Sequence, residues 1–285
     1  MKVLVTGGAG FVGSCLIKEL VKDKTLTIIS LDNYFTGKKS NHIAGVEYIE
    51  GNTEDINKLV NFSPDIVYHF GEYSRISTSF EDISKVWNYN VAGTQAVLEF
   101  CRTNNSKLIY SASSTKFGDS GDNKHASPYA FYKGVNSDLV KNYGSWFGLE
   151  YAICYFYNVY GAGQISKGKY ATVIGIFEEK YKNQEPLTVT SPGTQERDFT
   201  HITDIVNGLK MLMRPEVSGD GFCFGTGKSY TILDVVKLFE SDYVFIPSRL
   251  GERTQTSIDL SKSKSIGWAS KVCLEDYIKE IKDGK

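Results

Sequence analysis

Short apolar runs rich in β-branched residues alternate with longer stretches of helical periodicity through the first half of the chain. "KVLVTG", "TLTIISLD", "VEYIEG", "DIVYHFG", "KLIYSAS" and "YAICYFYNVYG" each lie beside a helix-like segment. Strands apolar on both faces and separated by helices build a parallel sheet covered on both sides, so the pattern predicts an α/β fold with a doubly wound parallel sheet. Helices are predicted over 11–22, 54–62, 80–104 and 128–148, the longest being 80–104. After about residue 158 glycine and proline recur ("GAGQISKGK", "SPGTQERDF", "GTGKS"), and strands such as "PLTVT" and "GFCFG" alternate with shorter helices, "TILDVVKLFE" among them. This predicts a first unit over 1–158 and a smaller lobe over 159–285 built onto it, with room for their elements to interleave. Internal repeats and low-complexity segments are absent from the sequence, which removes a solenoid reading.

Composition narrows the chemistry. The 285 residues carry 32 Lys+Arg against 33 Asp+Glu, so the chain has no basic field to hold nucleic acid. Cys15, Cys101, Cys154, Cys223 and Cys273 are scattered through apolar segments without the close pairing of a zinc or redox motif; they read as free thiols, and no metal is expected. No charged-then-apolar leader opens the chain, and no apolar stretch reaches the ~18 residues of a membrane span. A cytoplasmic setting without membrane contact is the expectation.

Residues 7–13, "GGAGFVG", follow the strand "KVLVT" and open an apolar helix. Gly7 would permit the tight turn, Gly10 the close approach of backbone to a pyrophosphate, and Gly13 the packing of helix on strand. Nineteen residues after Gly13, Asp32 ends "TIISLD", where its carboxylate would accept hydrogen bonds from the adenosine ribose and repel a 2′-phosphate. NAD is favoured over NADP, although Lys38 and Lys39 follow closely. The plainer alternative is a strand-end Asp serving only as a cap.

"HASPYAFYKGVNSD" places Tyr129 four residues ahead of Lys133 where a helix begins. Free tyrosine is a poor base, having a pKa near ~10. On one helical face, the Lys133 ammonium and a positive nicotinamide ring would together stabilise the phenolate, which could take a proton from a substrate hydroxyl while the adjacent carbon gives up hydride. "YSASSTKFG" offers Ser113, or a neighbour, at a strand end to hold the same hydroxyl. Such a Tyr–Lys pair alone usually marks only an amphipathic face; its position after a strand-end serine and a dinucleotide fingerprint gives it weight.

Taken together these residues resemble the extended short-chain dehydrogenase/reductase family, and within it the nucleotide-sugar epimerases and dehydratases, with a Rossmann-type fold. The likeness rests on "TGGAGFVGS", "LDNYFTGKKSN", "DIVYHFGEYSR", "NVAGT", "SASSTKFGD", "SPYAFYK", "YFYNVYGAGQ", "EPLTV", "GTQERDFTHITDIV", "FGTGKSY" and "RLGE", in the family's order along nearly the whole chain. It implies Tyr129 as base, Lys133 as its partner and ribose ligand, and Ser113 as hydroxyl clamp. It assigns Gly7, Gly10, Phe11, Val12, Gly13, Asp32, Asn33, Asn52, Thr53, Phe70, Gly71 and Asn90 to the cofactor. Ser74, Asn158, Arg197 and Arg249 would hold a nucleoside-diphosphate sugar, the arginines through bidentate pairing with phosphate oxygens.

The departures concern the reaction. The Asp-Glu pair that serves the family's 4,6-dehydratases is replaced by Ser114 and Thr115, which disfavours dehydration. The usual "VYG" reads Lys116-Phe117-Gly118, "GDI" reads "GNT", the "HLAA"-type turn reads "HFGE" and brings in Glu72, and Tyr155 stands where an arginine is usual. His69 reads as a satisfied core histidine, His201 as part of the lobe junction and His125 as an exposed loop residue. In the resembling family the helix pair corresponding to 80–104 and 128–148 forms a dimer contact, so a homodimer is expected. The leading expectation is C4 oxidoreduction of a nucleoside-diphosphate hexose or heptose with net 4-epimerisation. The alternatives are a net C4 dehydrogenase and, from another class, a catalytically silent NAD-binding regulator.

Overall fold

The structure is a computed structural model, and it describes residues 1–251, 254 and 257–284, with the side chains of 118 and 120–124 left out; Glu252, in the "RLGE" stretch, lies outside the described residues. The first half runs β1 (Lys2–Thr6), α1 (Phe11–Leu20), β2 (Thr27–Asp32), β3 (Glu47–Glu50), α2 (Ile56–Leu59), β4 (Ile66–His69), α3 (Ile83–Val86), α4 (Gly93–Asn104), β5 (Lys107–Ser113), α5 (Pro128–Phe147) and β6 (Tyr151–Phe156). It continues through α6 (Val173–Lys182), β7 (Leu187–Thr190), β8 (Glu196–Asp198), α7 (Ile202–Met211), β9 (Gly219–Phe224), β10 (Ser229–Thr231), α8 (Ile232–Phe239), β11 (Tyr243–Ile246), α9 (Ser261–Ser265) and α10 (Leu274–Lys282).

Seven strands form one sheet in the order β3-β2-β1-β4-β5-β6-β9, with every neighbouring pair parallel. The predicted doubly wound sheet is therefore observed. Its strands are buried on both faces because α1 and α7 cover one side through Leu16, Ile17, Ile205 and Leu209, while α4 and α5 cover the other through Val97, Leu98, Val140 and Tyr143. Strand order reverses between β1 and β4, and such a switch point leaves a crevice beyond the strands' carboxyl ends. The register Thr6↔His69, His69↔Tyr110 and Ser113↔Phe156 brings the ends of β1, β4, β5 and β6 to that rim.

Residues after 158 contribute to both units. β9 completes the large sheet, and α7 covers it, whereas β7, β8, β10, β11, α6, α8 and α10 surround a separate core that includes Phe177, Leu187, Val235 and Phe239. The predicted helix 80–104 is divided: α3 is followed by a wide π-type turn over Trp87–Ala92 before α4 begins. The wide turn coincides with a buried polar anchor. Asn90 accepts from the Tyr73 amide at 2.7 Å and donates to the Tyr73 carbonyl at 3.0 Å. The predicted helix 54–62 shortens to α2 after a single 3₁₀ turn, the chain leaving it ahead of Ser63-Pro64, where proline disfavours helix in the preceding residue.

Candidate active site

A cavity of about 470 Å³ opens at the switch point and runs from the glycine-rich turn to the smaller lobe. At one end Gly7 has φ +72°, and a Cβ there would lie 2.8 Å from the Gly71 amide nitrogen; a Cβ on Gly13 would overlap the Gly7 carbonyl oxygen. Both positions are thus confined to glycine by close backbone approach. The N-terminus of α1 has no side-chain cap and no acidic residue in its first turn, leaving backbone N–H groups for an anion. Asp32 accepts from the amides of Ala9 and Tyr34, each at 2.8 Å, and burial pushes its carboxyl above the usual range while those amides oppose the shift. Asp32 both caps the turn and lines the cavity. These features fit a dinucleotide whose pyrophosphate lies against α1 and whose ribose meets Asp32.

The middle of the cavity is lined by Ser113, Ser114, Thr115 and Tyr129. α5 starts sharply because Ser127 caps it, accepting from the Ala130 amide at 3.1 Å, with Pro128 at the first helical position. Tyr129, Lys133, Asn136 and Ser137 then fall on its buried face. Lys133 is directed beneath the cavity wall. Its ammonium donates to the Ser111 carbonyl at 2.6 Å and pairs with Glu72, whose side chain is 2% exposed. Glu72 Oε1 also accepts from Thr94 at 3.0 Å and from Tyr110 and Asn136 at 3.1 Å each. His69, fully buried, bridges the Thr6 and Thr94 hydroxyls at 2.8 and 3.0 Å; burial lowers it to about 4, with Glu72 opposing. It is the satisfied core histidine expected from its strand.

Asn158, Arg197 and Arg249 line the far end with Thr188, Thr190 and Gln195. Asn158 donates to the Asp198 carbonyl at 2.8 Å, and Arg197 donates to the Glu196 carbonyl at 2.7 Å. Gln195 donates to the Thr190 carbonyl at 3.0 Å, and its buried Oε1 has no protein partner among the described residues. Ser74, Phe11, Val12, Gly10, Asn33, Phe70 and Gly71 also line the cavity.

Four of the expected site residues stand behind the wall. Asn52 accepts from Asn33 at 2.8 Å, Thr53 is buried beside Gly93, Asn90 ties down Tyr73, and Lys133 enters the Glu72 network. Lys116, Phe117 and Tyr155 contact one another away from the cavity: Lys116 donates to the Tyr155 hydroxyl at 3.2 Å, Phe117 packs edge-on against its ring, and Tyr155 donates to Asp220 at 2.7 Å. Those departures leave the cavity untouched. His201 packs on Tyr160 and Tyr277 at the lobe junction, and His125 is exposed. Sequence reasoning did not find Arg75, Tyr110 or Asn136. Asn136 carried a signal, since it lies seven residues after Tyr129 on the same helical face.

Among the described residues no cluster of His, Cys, Asp or Glu could hold a metal, the five cysteines are free, and no helix is long and apolar enough to cross a membrane.

Fold and cradle together define an NAD-dependent enzyme with a Rossmann-type sheet. Residues 3–223 match the model of the NAD dependent epimerase/dehydratase family, and the chain belongs to that family. A protein of Methanocaldococcus jannaschii provisionally named a UDP-glucose 4-epimerase is 31% identical over 98% of this chain and 96% of its own length. The UDP-glucose 4-epimerase of Thermotoga maritima, solved with UDP-glucose, superposes with a TM-score of 0.90 at 26% identity, over 98% of this chain and 96% of that one. That of Thermus thermophilus, solved with NAD, gives 0.88 at 26% identity, over 99% and 98%.

Proposed function

We propose that this chain is a nucleotide-sugar 4-epimerase, interconverting the two C4 configurations of a nucleoside-diphosphate sugar through a transient 4-keto sugar. The observation that carries the reading is that one cavity is lined by the glycine cradle and Asp32, by Ser113 and Tyr129, and by Asn158, Arg197 and Arg249. A sugar whose diphosphate meets the arginines would present its ring to Tyr129 beside the cradle. NAD, held against the glycine turn and Asp32, would supply the hydride acceptor for C4 and the hydride donor for the 4-keto sugar. Tyr129 holds and returns the proton of the C4 hydroxyl, and Ser113 orients that hydroxyl by a hydrogen bond. Arg197 and Arg249 bind the diphosphate. Gln195 Oε1, buried at the far end, suits a base that presents an N–H.

Elimination is disfavoured by the carboxylate inventory. Among the described lining residues only Asp32 and Glu72 are acidic, the first engaged by backbone amides and the second by Lys133 and three further donors. Neither is free to act as acid or base at C5 or C6.

The test is proton NMR of UDP-, dTDP- and GDP-linked hexoses, their N-acetylated forms and hexuronic acids after incubation with the protein and NAD. A C4 epimer approached from both directions is expected. A 6-deoxy-4-keto product, or a decarboxylated one, would overturn the proposal.

A further inference from the structure

The bare N-terminus of α1 suits the pyrophosphate of a dinucleotide, and the functional reading gives the diphosphate of the sugar nucleotide to Arg197 and Arg249. Arg75, on the segment after β4, is a further cation in the same cavity lining, and neither of those anions accounts for it. Its guanidinium is oriented by backbone: Nε donates to the Tyr170 carbonyl at 2.7 Å and Nη1 to the Ser74 carbonyl at 3.0 Å. Guanidinium carries five N–H donors, and Nη2 donates to nothing among the described residues, so part of the fork remains for a ligand. Among the described residues no carboxylate forms an ion pair with Arg75. The acids that line the cavity are committed: Asp32 accepts from the Ala9 and Tyr34 amides, and Glu72 is paired with Lys133. Burial pulls the guanidinium below its usual range, as it does for a cation short of both water and counter-charge.

The neighbours of Arg75 place it along the cavity. Tyr170, whose carbonyl it binds, and Ile76, the next residue in the chain, both pack in the apolar cluster of Tyr73, Val86 and Tyr129. Arg75 thus belongs to the part of the cavity where Tyr129 would meet the sugar ring.

We propose that Arg75 is a specificity-determining residue that pairs with a carboxylate on the sugar, so that the substrate is a nucleoside-diphosphate hexuronic acid. A buried cation without a partner is costly, and a substrate that brings a carboxylate removes that cost through a charge-assisted pair matched to the guanidinium fork. A neutral hexose leaves the charge unopposed. The carboxylate of a hexuronic acid is attached to the ring carbon next to C4, so it is carried near Tyr129 whenever the C4 hydroxyl is. The other groups lining this stretch, Ser113, Ser114 and Thr115, are hydroxyls that do not repel it.

The inference rests on the nucleotide-sugar reading of the site, and it is tested by binding rather than turnover. NAD-loaded protein in a Tyr129→Phe background, which stops turnover during the titration, is titrated calorimetrically with UDP-, dTDP- and GDP-linked hexuronic acids, the matching neutral hexoses and the free nucleoside diphosphates. For the base that binds, the hexuronic acid is expected to bind tighter than the hexose by about 10- to 100-fold. Arg75→Gln is expected to abolish that preference while the free diphosphate binds as before, which also shows that the variant is folded; Arg75→Lys should keep part of the preference. Equal affinity for acidic and neutral sugars in the parent protein overturns the proposal, as does a preference that survives Arg75→Gln. A loss of free diphosphate affinity in Arg75→Gln also overturns it, because Arg75 would then be a diphosphate ligand. A preference lost in Arg75→Gln, beside wild-type protein that forms no C4 epimer of any sugar, would sink the epimerase reading and leave this inference standing. Epimerisation of neutral hexoses with no preference for acids would overturn this inference alone, and failure of every nucleotide sugar to bind would overturn both.

Discussion

Lys133 and Glu72, 61 residues apart in sequence, form an ion pair at the floor of the cavity, where Glu72 is a lining residue, and three further donors converge on the same carboxylate. Removing one partner of such a pair strands the other charge in a low-dielectric site. Lys133→Met is therefore expected to cost about 3–5 kcal/mol of folding stability. Replacing both partners, in Lys133→Met with Glu72→Gln, removes the stranded charge and should recover a substantial part of that loss. Urea unfolding of the two single variants and the double variant measures the coupling. Additive losses would mean that the pair is not energetically linked.

Tyr129 is 9% exposed and lines the cavity from the first turn of α5. Its hydroxyl is the only part that the proposed chemistry uses, and the ring packs with Tyr73 and Val86 whether or not the oxygen is present. Tyr129→Phe is thus expected to lower kcat by about 10²–10⁴ while NAD binding and thermal stability stay close to wild type. The check is turnover of the nucleotide sugar identified by NMR beside a fluorescence titration with NADH. Undiminished kcat would remove Tyr129 from the chemistry.

His69 gives the fold an acid-side dependence whose sign follows from its environment. Burial lowers the imidazole from 6.5 to about 4, so between those values the unfolded chain binds a proton that the folded chain refuses. Stability from this group is fully present above pH 6.5 and is lost as pH falls toward 4, a difference of order 3 kcal/mol. Denaturant titrations at a series of pH values in that window are expected to show the loss, added to that from carboxylates. His69→Gln, which does not titrate there and can still bond Thr6 and Thr94, should flatten the slope. An unchanged slope would assign the acid sensitivity to other groups.

Much of this architecture was legible in the chain because it depends on local pattern. The β-branched runs gave the parallel strands, Gly7 and Gly13 are positions where a Cβ collides with backbone, and Tyr129 and Lys133 sit behind a Ser-Pro helix start. What escaped depends on long-range contact or on backbone irregularity. A helical pattern from 80 to 104 contains no proline or glycine before Gly93, yet the backbone widens at Trp87–Ala92, where buried Asn90 binds Tyr73. Glu72 was visible as a departure in "HFGE", but its partners come from α4, β5 and α5, and no spacing rule links them. Nothing in the sequence singled out Arg75, whose two bonds go to backbone carbonyls, one of them in Tyr170, far along the chain. Lys133 was expected as the partner of Tyr129 and a ribose ligand, and its ion pair with Glu72, an acid from another part of the chain, was not visible beforehand.

The outer faces of α3 and α5 carry a further expectation. Ile83 and Trp87 at the α3 end are each 50% exposed, and Phe131 and Val135 on α5 are 45% and 43% exposed. Trp87 meets Tyr132 edge-on at 5.7 Å between ring centroids, so the two segments present one continuous apolar surface opposite the buried face that holds Tyr129 and Lys133. A monomer seldom leaves such a patch in water, and a two-fold axis through α5 would cover it with its own copy. Light scattering at micromolar concentration is expected to give the mass of two 31.8 kDa chains. Trp87→Glu with Phe131→Glu places two carboxylates on each side of that contact and should yield a folded monomer. Because α5 also carries the Tyr129 turn, the monomer is expected to lose activity as well. A wild-type protein that runs as one chain would refute the contact, and a double variant that stays dimeric would place the interface on another face.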